Sequence, residues 1–200
     1  MNHIITISRQ FGSGGREVGR RLAENLHIAY YDREILSEIV RRTELTEHFV
    51  RQVIDQPPMP LMPITIARSF YLDNSAVQDQ AQSIFRQQSE IITELAAQSD
   101  CVIVGRCADY ILRDLKPFNI FVCAALETRM ARCRARAGAE ESLSDRELKK
   151  RINSIDKGRR RYYEYYTGRS WGDPLNYDLC INTSTGVIRD ITGHIAQLFN

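Results

Sequence analysis

The sequence predicts a three-layer α/β/α fold on a five-stranded parallel sheet, and three observations predict it. Short β-branched runs without polar alternation recur along the chain, as strands buried on both faces do. Segments with helical apolar spacing separate them, so successive strands are joined by helical crossovers and lie parallel. The length of 200 residues, 43% hydrophobic and 26% charged, suits one domain, 1–200, with insertions, and describes neither a disordered tail nor a fibrous repeat.

Ile4-Ile5-Thr6-Ile7 is the first strand. After Gly12-Ser13-Gly14-Gly15, the residues Val18, Leu22, Ala23 and Leu26 recur at helical spacing. Ile28 to Tyr31 reads as a second strand, and Asp32 stands where a helix through Ile35, Leu36 and Ile39 takes its N-cap. The stretch 45–100 differs in character and reads as a helical insertion. A helix ends near Asp55, Pro57, Pro58, Pro60 and Pro63 impose an extended loop, and Ser75 to Ala97 forms a solvated helix. Cys101 to Val104, Ile120 to Cys123 and Tyr177 to Ile181 supply three more strands, and Val187 to Phe199 closes the chain as an amphipathic helix. Ser144 and Glu147 make a capping box that starts a charged helix.

Composition narrows the function. Lys and Arg number 27 against 25 Asp and Glu, and a net charge of +2 is too small for a chain whose task is coating nucleic acid. Cysteines 101, 107, 123, 133 and 180 form no CxxC pair, which indicates neither a zinc ribbon nor a disulfide framework, and four of the five are expected as reduced core residues. No apolar run nears the roughly 20 residues of a membrane span, and the N-terminus does not read as a signal peptide. A cytoplasmic protein is expected.

The strongest chemical signal is Ser8-Arg9-Gln10-Phe11-Gly12-Ser13-Gly14-Gly15-Arg16-Glu17. A glycine loop between a strand and a helix can curl its N–H groups around phosphate oxygens, with the helix N-terminus adding positive charge. Arg9 and Arg16 flank it, and arginine forks onto phosphate. The loop departs from GxxxxGK[ST]: with Gly15 as the second glycine, Arg16 stands for the lysine and Glu17 near the hydroxyl position. Either Arg16 replaces the lysine or the loop no longer supports transfer.

The opening ITISRQFGSGGREVGRRLAENL resembles that of the cytidylate kinase-like family, relatives of bacterial cytidylate kinases that carry a lysine-less loop. Tyr31-Asp32, CVIVGR at 101–106, Glu127 to Arg132, Ile152 to Arg161 and Asn182-Thr183-Ser184 resemble further family segments in the same order. The resemblance implies a P-loop fold of the nucleoside monophosphate kinase type, with an acceptor-binding insertion at 45–100 and a lid at 138–170. It implies a phosphotransferase using ATP and Mg2+ on a small phosphate or nucleotide acceptor. Arg9, Gly12, Ser13, Gly14, Gly15, Arg16, Glu17, Arg129, Arg132, Thr183 and Ser184 would bind the donor. Asp32, Arg33, Arg106, Asp109, Asp156 and Arg160 would bind the acceptor, with Arg16, Arg106 and Arg160 catalytic. Magnesium would be reached through Ser13, Glu17 or water. Cys107 and Glu38 depart from the cytidylate pattern, which leaves the acceptor open.

Arg106 has its own physical argument, because it follows a buried strand and emerges at the carboxyl edge of the sheet, where ligands of open α/β sheets bind. Its plainer alternative is a surface pair with Asp109 or Asp114. The basic run from Lys149 to Arg161 also has alternatives: a solvated face, an RNA-binding stripe with the tyrosines 162, 163, 165 and 166, or a closing lid. Three consecutive arginines cannot share one helix face, and Arg160, one turn after Asp156, is the leading candidate. The tyrosines are expected to pack. A non-catalytic nucleotide sensor is the alternative from another class.

Overall fold

The computed structural model describes residues 3–55, 75–136 and 143–199. Its strands β1 (Ile4–Arg9), β2 (Ala29–Tyr31), β3 (Cys101–Val104), β4 (Phe118–Cys123) and β5 (Leu179–Asn182) form one sheet in the order β2-β3-β1-β4-β5. All pairings are parallel, with Ile5 in register with Val102 on one side and Phe118 on the other. The central strand runs past its apolar stretch because β4 continues beside it, pairing Arg9 with Val122. Arg9 therefore sits at the carboxyl end of the middle strand.

The helices are α1 (Gly15–Leu26), α2 (Arg33–Thr43), α3 (Glu47–Asp55), α4 (Ser75–Gln98), α5 (Ala108–Ile111), α6 (Leu126–Arg136), α7 (Asp145–Thr167) and α8 (Ile188–Ala196). The continuous apolar runs are explained by two separate cores. Val102 and Val104 join Ile5, Ile7 and the inner faces of α1 and α8, while Cys101 and Ile103 join Ile35, Ile39, Val50, Ile84 and Ile91 on the opposite face. Burying each such isoleucine contributes about 1.5–3 kcal/mol, so the sheet is the main store of stability. The described helices of the 45–100 insertion thus share the sheet's core. Its proline loop, and the start of the expected lid at 138–142, lie outside the described residues.

Helix α7 begins where its capping box predicts: Glu147 N donates to Ser144 Oγ at 3.4 Å, and Ser144 N donates to Glu147 Oε2 at 3.0 Å. Its last turns are core. Tyr162 and Tyr163 are buried, Tyr166 stacks on Phe85 at 4.0 Å, and Trp171 meets Phe121 edge-on at 5.4 Å. The expectation for Asp32 needs correction. It occupies the N-cap position of α2, yet its side chain makes no capping bond; its backbone N–H instead donates to Glu34 Oε2 at 3.0 Å. The carboxylate is drawn away by arginines. No helix among the described residues is long and apolar enough to cross a membrane.

Candidate active site

The glycine loop leaves β1 at Arg9 and enters α1 at Gly15, and alternate carbonyls along it are held from outside by arginines. Arg159 Nη1 donates to Arg9 O at 3.0 Å, Arg129 Nε to Phe11 O at 2.7 Å, and Arg132 Nη1 to Ser13 O at 2.9 Å. Phe11 N donates to Asp156 Oδ1 at 2.7 Å, and Thr183 Oγ1 adds a second bond to Ser13 O at 2.6 Å. Helices α6 and α7 and the turn after β5 thus fix the loop's outer edge. Gly14, in the left-handed region at φ 85°, caps α1 without a side-chain bond. The first-turn N–H groups of α1 have no intrahelical acceptor, so the inner edge is a ready anion cradle.

Two clefts open on this loop. The first, about 280 Å³, is lined by Gly12, Gly14 and Gly15 with Arg132, Arg134 and Arg136. The second, about 400 Å³, lies over the carboxyl ends of β1 and β3 and is lined by Asp32, Arg33, Arg106, Leu36, Ile155 and Trp171 among others. They meet at Arg9, Phe11, Arg16, Arg151 and Arg159, which line both. Asp32 is the one carboxylate among the residues lining the pair of clefts, and it is shared: Arg16 Nε reaches it at 2.7 Å and Arg9 Nη2 at 3.7 Å. Burial, and then the nearby Arg159 charge, hold the Arg9 guanidinium well below the ordinary arginine pKa, with Asp32 opposing them. Such a site favours anions.

Arg106 is set by an unusual turn. Gly105, Arg106 and Cys107 all have positive φ, at 77°, 61° and 55°. Non-glycine residues in that region cost about 1–3 kcal/mol each and persist where the surroundings over-determine them. Here the fully buried Gln88 of α4 donates its Nε2 to Arg106 O at 2.9 Å, and Tyr162 OH donates to Gln88 Oε1 at 3.1 Å. The Cys107 thiol is buried and its pKa is raised by that burial.

Among the expected donor residues, Arg9, Gly12, Gly14, Gly15, Arg16 and Arg132 line the first cleft. Arg129 does not; it is buried, and its guanidinium pairs with Asp156 beneath the loop. Thr183 is fully buried against Ser13 O, and Ser184 Oγ accepts from Ala125 N at 2.7 Å, so these residues shape the cleft from behind. Among the expected acceptor residues, Asp32, Arg33 and Arg106 line the second cleft. Asp156 is absorbed by Phe11 N and Arg129. Asp109 is buried and accepts from Tyr163 OH at 2.6 Å; desolvation raises its carboxyl pKa. Arg160 is exposed, with its guanidinium 6.0 Å over Trp171, and lines neither cleft. The charged α7 residues that do are Arg151 and Arg159, beside Leu148, Ile155, Tyr162 and Tyr163. Sequence reasoning counts Arg151 and Arg159 in the basic run but prefers Arg160, although the buried Ile152 and Tyr162 set a helical phase that places Arg159, not Arg160, on the inner face.

The two side chains expected to reach magnesium do not fit a protein-held ion. Ser13 Oγ is buried and donates to Gln10 O at 2.9 Å, and Glu17 is divided between Arg21 and Arg136, each at 3.0 Å. No group of three or more His, Cys, Asp or Glu residues among the described residues could hold a metal.

The whole chain is similar to solved structures. An uncharacterized protein from Eubacterium ventriosum ATCC 27560 is 26% identical with a TM-score of 0.69, covering 98% of this chain and 97% of that one. A shikimate kinase from Bacteroides thetaiotaomicron superposes with a TM-score of 0.58 at 14% identity, covering 100% and 99% of the two chains. Another, from Acinetobacter baumannii in complex with shikimate, gives 0.53 at 17%, covering 100% and 93%. The fold is therefore the P-loop kinase type. No curated protein matches the sequence. The cytidylate kinase-like family model matches residues 4–185, a span that takes in the glycine loop, both clefts and all five strands, and the chain belongs to that family.

Proposed function

We propose that the protein is an ATP-dependent phosphotransferase. The donor phosphates lie in the glycine-loop cleft and a small anionic acceptor, a nucleotide or another phosphate, in the cleft over β3. The observation that carries this reading is the meeting of the two clefts at Arg9, Arg16, Arg151 and Arg159. Phosphoryl transfer asks little covalent chemistry of a protein. It asks that two oxygens be brought in line and that the charge between them be neutralised. Arginines at a shared wall do both, because a planar fork fixes an oxygen pair while it carries the charge.

Gly12, Gly14, Gly15 and the first turn of α1 receive the donor. Arg106, on its fixed turn, and Arg33 hold the acceptor, while Leu36, Ile155 and Trp171 exclude water from its apolar part. Helices α3 and α4 of the insertion form the acceptor lobe, and Arg151 and Arg159 of α7 neutralise the transferring group. With Ser13 held by Gln10 O and Glu17 by Arg21 and Arg136, magnesium would come with the nucleotide and would supply neutralising charge to its phosphates.

The test is ADP formation from Mg·ATP with a panel of nucleoside monophosphates and hydroxy acids, beside Arg106→Gln. Acceptor-dependent ADP that falls at least about 100-fold in kcat/KM in Arg106→Gln, with ATP affinity kept, supports the reading. ATP binding without turnover on any acceptor overturns it.

A further inference from the structure

We infer that Arg9, at the end of the central strand, supplies the cation that loops of the GxxxxGK[ST] pattern take from the lysine after their second glycine. This rests on the phosphotransferase reading and assigns one residue within it. Two registers of the pattern can be laid on the chain. With Gly15 as the second glycine, Arg16 takes the lysine's place. With Gly14 there, Gly15 takes it, and Arg9 stands where the pattern has its first glycine. The structure favours the second register. Gly14 is the N-cap and α1 begins on Gly15, whereas Arg16 turns its Nε onto Asp32 Oδ2 at 2.7 Å.

In that register the two departures from the pattern fill one volume. A Cβ at position 15 would lie 2.5 Å from Arg9 Cβ and 2.9 Å from its Cγ. Any side chain at 15 and an arginine side chain at 9 therefore exclude each other. The chain has kept a glycine and a long cation but exchanged their positions, so that the charge enters from the strand instead of the helix.

The guanidinium then crosses the carboxyl end of β3. A Cβ at Gly105, whose φ of 77° itself favours glycine, would come within 1.8 Å of Arg9 Nη1, so the guanidinium lies directly against this turn. The Arg9 side chain is 14% exposed, lines both clefts, and its buried Nε has no hydrogen-bond partner among the described residues. A buried donor without an acceptor carries the desolvation cost of its lost water. A phosphate oxygen at the junction of the clefts would supply the acceptor that Asp32, at 3.7 Å from Nη2, does not.

The experiment measures binding of Mg·ATP and of inorganic tripolyphosphate by calorimetry, with thermal unfolding as the folding control. The proteins are wild type, Arg9→Gln, Arg9→Gly, Arg16→Gln and the exchange Arg9→Gly/Gly15→Lys. Gly15 does not have positive φ, and with the Arg9 side chain removed a Cβ there would meet Val122 Cβ at 3.4 Å, so a lysine can stand there. The expected result is a loss of about 10- to 100-fold in affinity for both ligands in Arg9→Gln and Arg9→Gly, the scale of one charge-assisted hydrogen bond, and a smaller loss in Arg16→Gln. The exchange variant recovers most of it. Unchanged affinity in Arg9→Gln, or a folded exchange variant no better than Arg9→Gly, overturns the assignment while leaving the phosphotransferase reading in place. Wild type that binds neither ligand overturns that reading itself.

Discussion

At Gln88 a single amide joins three parts of the molecule. It is fully buried, donates to the backbone of a left-handed residue, Arg106, and accepts from Tyr162. In Gln88→Leu the Arg106 carbonyl and the Tyr162 hydroxyl lose their partner together. Leaving such groups buried and unpaired costs about 1–3 kcal/mol, which urea unfolding would register. Tyr162→Phe keeps the bond to Arg106 and is expected to cost about 1 kcal/mol. Because Gln88 acts through Arg106, it is a positioning residue: Gln88→Leu should raise the acceptor KM more than it lowers kcat, with ATP affinity unaltered. Equal effects on both constants would mean that the turn does not orient the acceptor.

Among elements, α6 and α7 act as a brace for the loop, and Arg129 with Asp156 is its centre. Arg129 bonds Phe11 O while pairing with Asp156, whose other oxygen takes Phe11 N. Arg129→Met removes the closer of the two arginines that pair with the partly buried Asp156 and leaves Arg159 Nη1 at 3.8 Å, a change expected to cost about 3 kcal/mol, and thermal unfolding of the variant checks it. If the cost stays below about 1 kcal/mol, the pair is solvated and the brace is weak. This element also shows what the sequence makes legible. The Ser144–Glu147 box and the apolar phase of α7 are local signals, and the structure agrees with them. The loop itself was readable from its glycines, since backbone freedom there leaves a mark in composition. The partners of Asp32, Asp156 and Arg129 were not, because each is chosen by a residue far along the chain. Arg129 and Phe11 are 118 positions apart, and Asp156 and Phe11 are 145. An arginine that props a carbonyl and one that faces a ligand look alike in sequence.

Over the whole molecule, the two cores on either side of the sheet bury weakly acidic groups that stay neutral at physiological pH, and this sets a direction for stability. Burial raises the Cys101 thiol from its ordinary 9.0 to about 11, and the Tyr30 and Tyr177 hydroxyls from 10.0 to about 12. Each group holds its proton more tightly in the folded chain than in the unfolded one. Between the unfolded and folded values the folded state binds more protons, so stability falls as pH rises. The contribution is whole below pH 9.0 for the thiol and 10.0 for the hydroxyls, and is lost through about 11 and about 12 respectively. Urea unfolding midpoints should therefore drop between about pH 9 and pH 12. Cys101→Ala removes one titrating group from β3, and Tyr177→Phe removes another beside β5. Each variant starts less stable than wild type near neutral pH, through a small cavity or a lost hydrogen bond. Each should then lose less with rising pH, because one fewer proton is retained in the fold. It is the slope that tests the argument: a variant whose midpoint falls in parallel with wild type would show that its group ionises in the folded chain as readily as in the unfolded one, and that the core around it admits water.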